Sequence, residues 1–250
     1  MKLTWEISEQ DVTGTTSFFN QLEDNCFVRK RKELLRARAK KSVTKDEFWE
    51  AMVVCLLTTQ QRAGPNSHAG RFITRKPFPL AHSDCSACGE IEKFVLTKLK
   101  EHGGIRFTNT IPRQCCANFD EMETGLWDKT DSVLERLRKT RTVEAERKAA
   151  AFIQDNYEGF GPKQSRNLPQ TLGLSQYEIP IDSRITKWLN NFGFPVRLSS
   201  KALSDKDYYQ FVSEGFQQLC AACNILPCLL DAAIFASPDR DAWNHDTVYG

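Results

Sequence analysis

Lys163 and Asp182 are the two residues whose types and surroundings could carry covalent chemistry. Lys163 follows a Gly-Phe-Gly-Pro turn and lies in the first turn of the helix that this turn predicts. The positive end of a helix dipole disfavours a second positive charge, so it favours the neutral amine that can attack a carbon atom. Asp182 follows the apolar run Ile-Pro-Ile, 19 residues later. A carboxylate there could stabilise a cationic transition state; a phosphate-binding lysine and a purely structural helix cap are the alternatives.

A helix–turn–helix over about residues 145–172 must position this lysine. Gly159 and Gly161 predict a tight turn that other residues resist, and Pro162 suits the first position of the second helix. The backbone N–H groups at the start of that helix could bind a phosphate, so these three residues are candidate DNA-binding residues. Pro169 is expected to kink or end the second helix. The alternative is an ordinary helical turn with a glycine cap.

Helix signals dominate the rest of the chain, and no credible run of alternating strands is present. Thr44 and Glu47 have the spacing of a capping box before a mostly apolar helix from Asp46 to about Gln60. Similar signals start a helix after Thr142 and a last helix from Pro227 to Ala236. These patterns predict an all-α protein.

The composition is that of an ordinary soluble globular protein, with 40% hydrophobic and 26% charged residues among 250. The N-terminus lacks a signal-peptide core, and no stretch approaches the length of a membrane span, so we expect an intracellular protein without membrane contact. The net charge is only +2, but nine Lys or Arg residues and one acid lie between Arg29 and Lys45. This run could add salt-sensitive affinity for DNA; a solvated helix face is the alternative.

The nine cysteines do not predict a disulfide framework in an intracellular chain. One group has partly zinc-like spacing, although its second pair is adjacent, which is poor ligand geometry. Its members are His82, Cys85, Cys88, Cys115 and Cys116. Cys220, Cys223 and Cys228 lie in apolar helices and are expected to be core residues. We therefore expect neither zinc nor an iron–sulfur cluster; a zinc-stabilised interaction protein is the alternative.

The segment Gly159-Phe-Gly-Pro-Lys163, with Ile-Pro-Ile-Asp182 downstream, resembles the helix-hairpin-helix DNA glycosylases, which include endonuclease III and the 8-oxoguanine glycosylases. Leu56-Leu-Thr-Thr-Gln60 is similar to the family's helix end whose Gln enters the DNA stack, and Arg147-Lys-Ala-Ala to its entry into the hairpin. Many relatives have small residues after the lysine, whereas this chain has Gln164-Ser-Arg.

The resemblance implies two helical domains with the active site in the cleft between them. Residues 46–170 would form a helical barrel that ends in the hairpin. Residues 1–45 and 185–250 would form the second domain. The hairpin carbonyl groups near residues 155–160 resemble a family site for a monovalent cation; no cofactor is otherwise expected.

The resemblance also implies a bifunctional DNA glycosylase and AP lyase that acts on double-stranded DNA as a monomer. The target base would be extruded into a pocket, with Gln60 contacting the gap and an apolar wall from Phe160, Trp188 or Phe235. Asp182 would stabilise the sugar cation, and Lys163 would attack C1′ to form a Schiff base before β-elimination cleaves the strand. An oxidised purine such as 8-oxoguanine is the expected substrate; oxidised pyrimidines and hypermodified bases are alternatives. A monofunctional glycosylase and a non-catalytic DNA-binding protein are the rival functions.

Overall fold

A computed structural model of the chain describes residues 4–237, so residues 1–3 and 238–250 of the predicted second domain lie outside the described residues. No strand occurs in the described part of the chain, and the prediction of an all-α fold is confirmed. The α-helices, in chain order, are α1 (Glu9–Asn20), α2 (Cys26–Lys40), α3 (Lys45–Leu57), α4 (His68–Ile73), α5 (His82–Ala87), α6 (Ile91–His102), α7 (Thr110–Glu121), α8 (Trp127–Thr140), α9 (Val143–Asn156), α10 (Gln164–Thr171), α11 (Ser183–Phe192), α12 (Lys206–Ala222) and α13 (Pro227–Ala236).

The buried side chains form two separate hydrophobic cores. The first core takes its residues from Val43 to Leu174, which covers α3 to α10. The second takes its residues from α1, α2 and the segment from Ile179 to Ile234. In the described residues no single helix is long and apolar enough to cross a membrane; α12 and α13 reach that length and composition together but are bent by 98°.

Helix α3 lies at the centre of the first core because nine of its residues are buried, from Phe48 to Leu57. It begins with the predicted capping box, in which Glu47 N donates to Thr44 Oγ1 at 3.2 Å and Thr44 N donates to the Glu47 carboxylate at 3.0 Å. The helix ends at Leu57 rather than near Gln60 because Gln60 has a positive φ of 49°, which a helix cannot continue. The predicted starts of α9 after Thr142 and of α13 at Pro227 are confirmed.

Glu146, on α9 in the first core, binds the chain segment that leads into the second core. Its buried carboxylate accepts hydrogen bonds from the backbone N–H groups of Gln176, Tyr177 and Glu178 at 2.7–2.8 Å. It also accepts one from the Ser175 hydroxyl at 2.8 Å. Four donors on one carboxylate satisfy a turn whose buried N–H groups would otherwise lack partners.

We expect Glu146→Gln to lower the free energy of unfolding by about 2–3 kcal/mol, because the amide NH₂ group would face backbone donors. Thermal and urea unfolding measure this change. Glu144→Gln is the matched control, since Glu144 is exposed on the same helix and pairs with Lys148 at the surface. Equal stabilities of the two variants would contradict the role given to Glu146.

Candidate active site

The hairpin turn depends on Gly159 and not on Gly161. Gly159 has a φ of 88°, and a Cβ atom on it would lie 2.6 Å from Leu56 Cδ2. Gly161 is exposed, its φ lies outside the positive region, and a Cβ atom on it would meet nothing within 4 Å. The prediction that both glycines are needed for the turn is therefore wrong for Gly161. Its missing side chain instead leaves the backbone open to a ligand.

Lys163 is the N-cap residue of the second hairpin helix, α10, and so lies immediately before the first turn in which it was predicted. Pro162 lies in the turn before this helix, in which Ser165 N donates to Gly161 O at 3.0 Å, and not at the first helical position predicted for it. The Lys163 side chain is half-buried. Helix α10 passes through Pro169 and ends two residues later, so the proline lies in its last turn.

Asn118 on α7 fixes the turn from the barrel side. This almost fully buried side chain donates to Glu158 O at 3.0 Å and accepts from Glu158 N at 2.7 Å. Sequence reasoning missed it because nothing local marks a buried asparagine in a helix. One of the hairpin carbonyl groups considered for a cation is therefore already a hydrogen-bond acceptor.

Gln164 connects the hairpin to the end of α3. Its amide donates to Cys55 O and also to Thr59 Oγ1, at 2.6 Å for the second bond. Thr59 is the residue before Gln60. Gln164 stands where many members of the resembled family have a small residue after the lysine. Its hydrogen bonds connect the segment of Lys163 to the segment of Gln60. Gln60 itself is exposed on the surface.

Arg106 and Phe107 lie beside Gln60, in the loop between α6 and α7. The Arg106 guanidinium donates to Gln60 O at 2.6 Å, and Arg106 N donates to the Gln61 side chain at 3.0 Å. Phe107 is 39% exposed and has a positive φ of 59°. An exposed aromatic ring and a guanidinium next to a polar side chain can insert into a base stack and bind phosphate or base edges.

Asp182 caps α11 and still keeps an oxygen atom for chemistry. Its Oδ1 accepts from Arg184 N at 2.8 Å and Ile185 N at 3.0 Å. Its Oδ2 has no hydrogen-bond partner among residues 4–237, and the side chain is half-buried. The cap fixes the carboxylate, while the second oxygen can face a developing positive charge.

Tyr209 on α12 holds the backbone immediately before Asp182. Its buried hydroxyl accepts from Ile181 N at 2.6 Å and donates to Ile179 O at 2.8 Å. Burial raises the pKa of this hydroxyl, which therefore stays protonated. The side chains of the Ile-Pro-Ile run are apolar and cannot form hydrogen bonds with nearby backbone groups. The Tyr209 hydroxyl therefore supplies the hydrogen-bond partners of the backbone of this run.

A buried ion pair connects this run to the hairpin. The Arg166 guanidinium donates to Pro162 O at 2.9 Å, to the Glu178 carboxylate at 2.7 Å, and lies 4.4 Å from the centre of the Tyr209 ring. The other oxygen of Glu178 accepts from Arg147 at 3.0 Å and Gln217 at 2.9 Å. The backbone beside Lys163 and the backbone before Asp182 are therefore held by one network.

Asp231 on α13 is the third ionisable group at the site, and sequence reasoning missed it. Burial raises its pKa to about 7; the Asp182 carboxylate also raises this pKa, whereas Arg31, a hydrogen bond from Gln170 and Lys163 lower it. The charges of Lys163 and Asp182 thus both influence the pKa of one buried carboxyl group, in opposite directions. The only sequence signal was an acid within the apolar run Leu-Leu-Asp-Ala-Ala.

Of the three aromatic residues considered for a pocket wall, only Phe235 adjoins these acids. It lies one turn after Asp231, 3.6 Å from the guanidinium of Arg184. Phe160 is buried in the first core. Trp188 stacks on Phe192 at 4.8 Å.

No protein-family model and no curated protein sequence matches the chain. Two solved structures do resemble it. The 8-oxoguanine DNA glycosylase of Thermotoga maritima has a TM-score of 0.65 and 13% identity, over 92% of this chain and 99% of that one. The 8-oxoguanine DNA glycosylase of Methanocaldococcus jannaschii has a TM-score of 0.61 and 17% identity, over 90% and 91%. This chain has the fold of these glycosylases. The fold implied by the helix-hairpin-helix resemblance is confirmed.

The cysteines of the chain are all free thiols. Cys85 and Cys115 are buried in the first core, and His82 binds Glu123 at 2.9 Å. Cys220 and Cys228 are buried in the second core, as their apolar surroundings predicted. Within residues 4–237, no three His, Cys, Asp or Glu side chains are grouped so that they could hold a metal ion.

Part of the basic run on α2 serves the fold. The Arg38 guanidinium is buried and donates to Leu172 O at 2.8 Å, and Arg31 donates to Gln170 O at 3.2 Å. Lys45 pairs with Glu123 at 2.6 Å. Arg29, Arg36 and Lys40 are exposed, and the DNA affinity predicted for the run would come from residues of this kind.

The two hairpin glycines should respond oppositely to alanine. Gly159→Ala should lower the free energy of unfolding by about 1–3 kcal/mol, because alanine resists the positive φ and contacts Leu56. Gly161→Ala should change it by less than about 0.5 kcal/mol but weaken binding to duplex DNA. Urea unfolding and fluorescence anisotropy measure the two effects. A Gly161→Ala protein with unchanged affinity would show that DNA does not approach this backbone.

Asp231→Asn should change how stability depends on pH. The pKa of Asp231 is about 7 in the folded protein, against 3.8 for an unperturbed aspartate. The folded state therefore keeps a proton that the unfolded state has lost, and the free energy of unfolding falls as the pH rises between about 4 and 7. Asparagine does not titrate, so the variant should gain stability relative to the wild type over this range, on the order of a few kcal/mol.

Melting temperatures of the wild type and the variant from pH 4 to pH 8 test this sign, with Asp24→Asn as the control because Asp24 is an exposed acid. The difference between wild type and Asp24→Asn should stay nearly constant. A constant difference for Asp231→Asn as well would mean that Asp231 is ionised in the folded protein throughout.

Proposed function

We propose that this protein is a bifunctional DNA glycosylase and AP lyase that excises an oxidised purine such as 8-oxoguanine. The observation that supports it best is that Arg166 and Glu178 join the backbone beside Lys163 to the run that ends in Asp182, in a fold shared with two 8-oxoguanine glycosylases. The partner is double-stranded DNA that contains the damaged base, and the protein acts as a monomer.

Base extrusion precedes the chemistry because a base cannot be attacked inside the duplex. The backbone N–H groups at Gly161 and the start of α10 bind a phosphate of the damaged strand. Gln60 and Phe107 occupy the gap that the extruded nucleotide leaves. The network of Arg166, Glu178 and Tyr209 keeps the two catalytic segments at a fixed separation while the DNA is distorted.

The neutral amine of Lys163 forms a bond from Nζ to C1′ while the bond from C1′ to the base nitrogen breaks. The base leaves with that electron pair and takes up a proton. The free oxygen of Asp182 stabilises the positive charge that develops on the sugar. Opening of the sugar ring gives a Schiff base, and loss of a C2′ proton then expels the 3′ phosphate. Water hydrolyses the imine and regenerates the lysine.

This chemistry requires no cofactor. A monovalent cation at the hairpin, which the family resemblance implies, would bind carbonyl groups other than that of Glu158, which accepts from Asn118. Such an ion would supply electrostatic binding to a phosphate group of the DNA.

Borohydride trapping tests the lysine directly, because it reduces the Schiff base to a stable amine. Duplexes that contain 8-oxoguanine or an abasic site should give a covalent adduct with the wild type and none with Lys163→Gln, and a thymine glycol duplex should give less. Lys129→Gln is the control, since Lys129 is exposed on α8. The duplex that gives most adduct identifies the substrate class.

Two outcomes would replace this proposal. Base release by Lys163→Gln without strand cleavage or adduct would indicate a monofunctional glycosylase that uses water. Duplex binding by the wild type, without base release or cleavage on any substrate, would indicate a non-catalytic DNA-binding protein.

A further inference from the structure

Asn167 lies one helical turn after Lys163, on the same side of the second hairpin helix. Lys163 has helical backbone angles, and Asn167 N donates to Lys163 O at 3.0 Å, so the two residues are neighbours at positions i and i+4. Both side chains are half-buried. Because side chains on a helix lean towards its N-terminus, the Asn167 amide lies over the turn that contains Lys163.

Two acceptor atoms hold the amide nitrogen of Asn167. Nδ2 donates to Gln164 Oε1 at 3.1 Å and to Cys55 Sγ at 3.3 Å. Burial raises the pKa of the Cys55 thiol to about 12, so this sulfur atom belongs to a neutral thiol. Gln164 can offer Asn167 only an oxygen atom, because its nitrogen already donates to Cys55 O and Thr59 Oγ1. The surroundings of the Asn167 amide therefore determine which way it faces.

This orientation leaves the amide oxygen of Asn167 available beside the lysine. The nitrogen occupies the side of Gln164, at position i−3, so the oxygen lies on the side of Lys163, at position i−4. Among residues 4–237 no group donates a hydrogen bond to this oxygen. The charge of Lys163 also opposes the effect of burial on the pKa of Cys55, so the lysine lies near the second partner of the amide.

We propose that Asn167 is a positioning residue, which holds the amine of Lys163 for its attack on the sugar. An N–H group of Lys163 donates to Asn167 Oδ1, and this bond restricts the rotation of the long lysine side chain. The nitrogen lone pair then stays directed towards C1′. A neutral amide suits this task, because it accepts a hydrogen bond without the negative charge that would retain the ammonium form. The inference rests on the proposed function, since it concerns the same nucleophile.

The first test measures the rate at which the borohydride-trapped adduct forms on a duplex with an abasic site, in a single turnover at saturating protein. This substrate needs no recognition of a base, so the rate reports the attack of the lysine. Asn167→Leu keeps the size of the side chain and removes the acceptor. It should lower the rate by about 10- to 100-fold, while the Kd for the duplex stays within about twofold of the wild-type value.

Asn167→Asp distinguishes the positioning of the amine from the packing of the helix. The carboxylate can still accept from Lys163, but its charge favours the ammonium form. The rate should therefore rise with pH around a midpoint that is higher by about one pH unit or more. The other acids at the site, Asp182 and Asp231, are the same in the wild type and the variant. Asn20→Asp makes the same change of net charge at an exposed position on α1 and should keep the wild-type midpoint.

The outcomes separate this inference from the proposed function. A folded Asn167→Leu protein with the wild-type rate, or a folded Asn167→Asp protein with the wild-type midpoint, would overturn the inference and leave the glycosylase proposal intact. A wild type that forms no adduct on the abasic duplex or on the 8-oxoguanine duplex would instead reject the lyase chemistry, and the inference with it. Melting temperatures show whether each variant folds, and if one does not, the other decides.

Discussion

The buried ion pair between Arg166 and Glu178 holds together the two segments on which the site depends. Arg166 belongs to the helix of Lys163 and also binds the carbonyl group just before that lysine. Glu178 begins the run that ends in Asp182 and is 1% exposed. Removing one partner of such a pair costs about 3–5 kcal/mol, because an uncompensated charge stays buried. Arg147 and Gln217 donate hydrogen bonds to the second oxygen of Glu178. Contacts from three residues therefore fix the position of Glu178 and, with it, the separation of the two segments.

A second connection joins the hairpin to the part of the barrel that would face a duplex. Gly159 packs on Leu56, and Gln164 binds the Cys55 carbonyl group in the last turn of α3 and the Thr59 hydroxyl group after it. Gln60 lies three residues after the end of α3, and Arg106 donates a hydrogen bond to its carbonyl group. The residues proposed to fill the DNA stack and the residue proposed to attack the sugar are thus set on one rigid unit. A rigid unit suits base extrusion, because the nucleophile must meet C1′ in a narrow range of positions.

The site keeps polar groups that a purely structural core would have satisfied or replaced. Asp231 is buried among apolar helices with a pKa of about 7, and Gln170 has an amide oxygen without a donor. Such groups lower the stability of the folded protein, and they persist where a ligand completes them. By contrast, Glu146 and Asn118 are equally buried but have all their hydrogen bonds, in keeping with a structural role.

Local sequence signals were sufficient for the starts of several helices and for the local surroundings of two candidate site residues. The capping box at Thr44, the cap at Thr142 and Pro227 mark helix starts through contacts within one turn. The positions of Lys163 and Asp182 next to helix starts could be predicted because a glycine turn and an apolar run beside them are also local features. Tyr209, Glu178, Asn118 and Asp231 could not, since each acquires its role from a partner on another helix. The tertiary structure alone decides those roles, because burial and an opposing donor or charge, rather than residue type, determine what a polar side chain does.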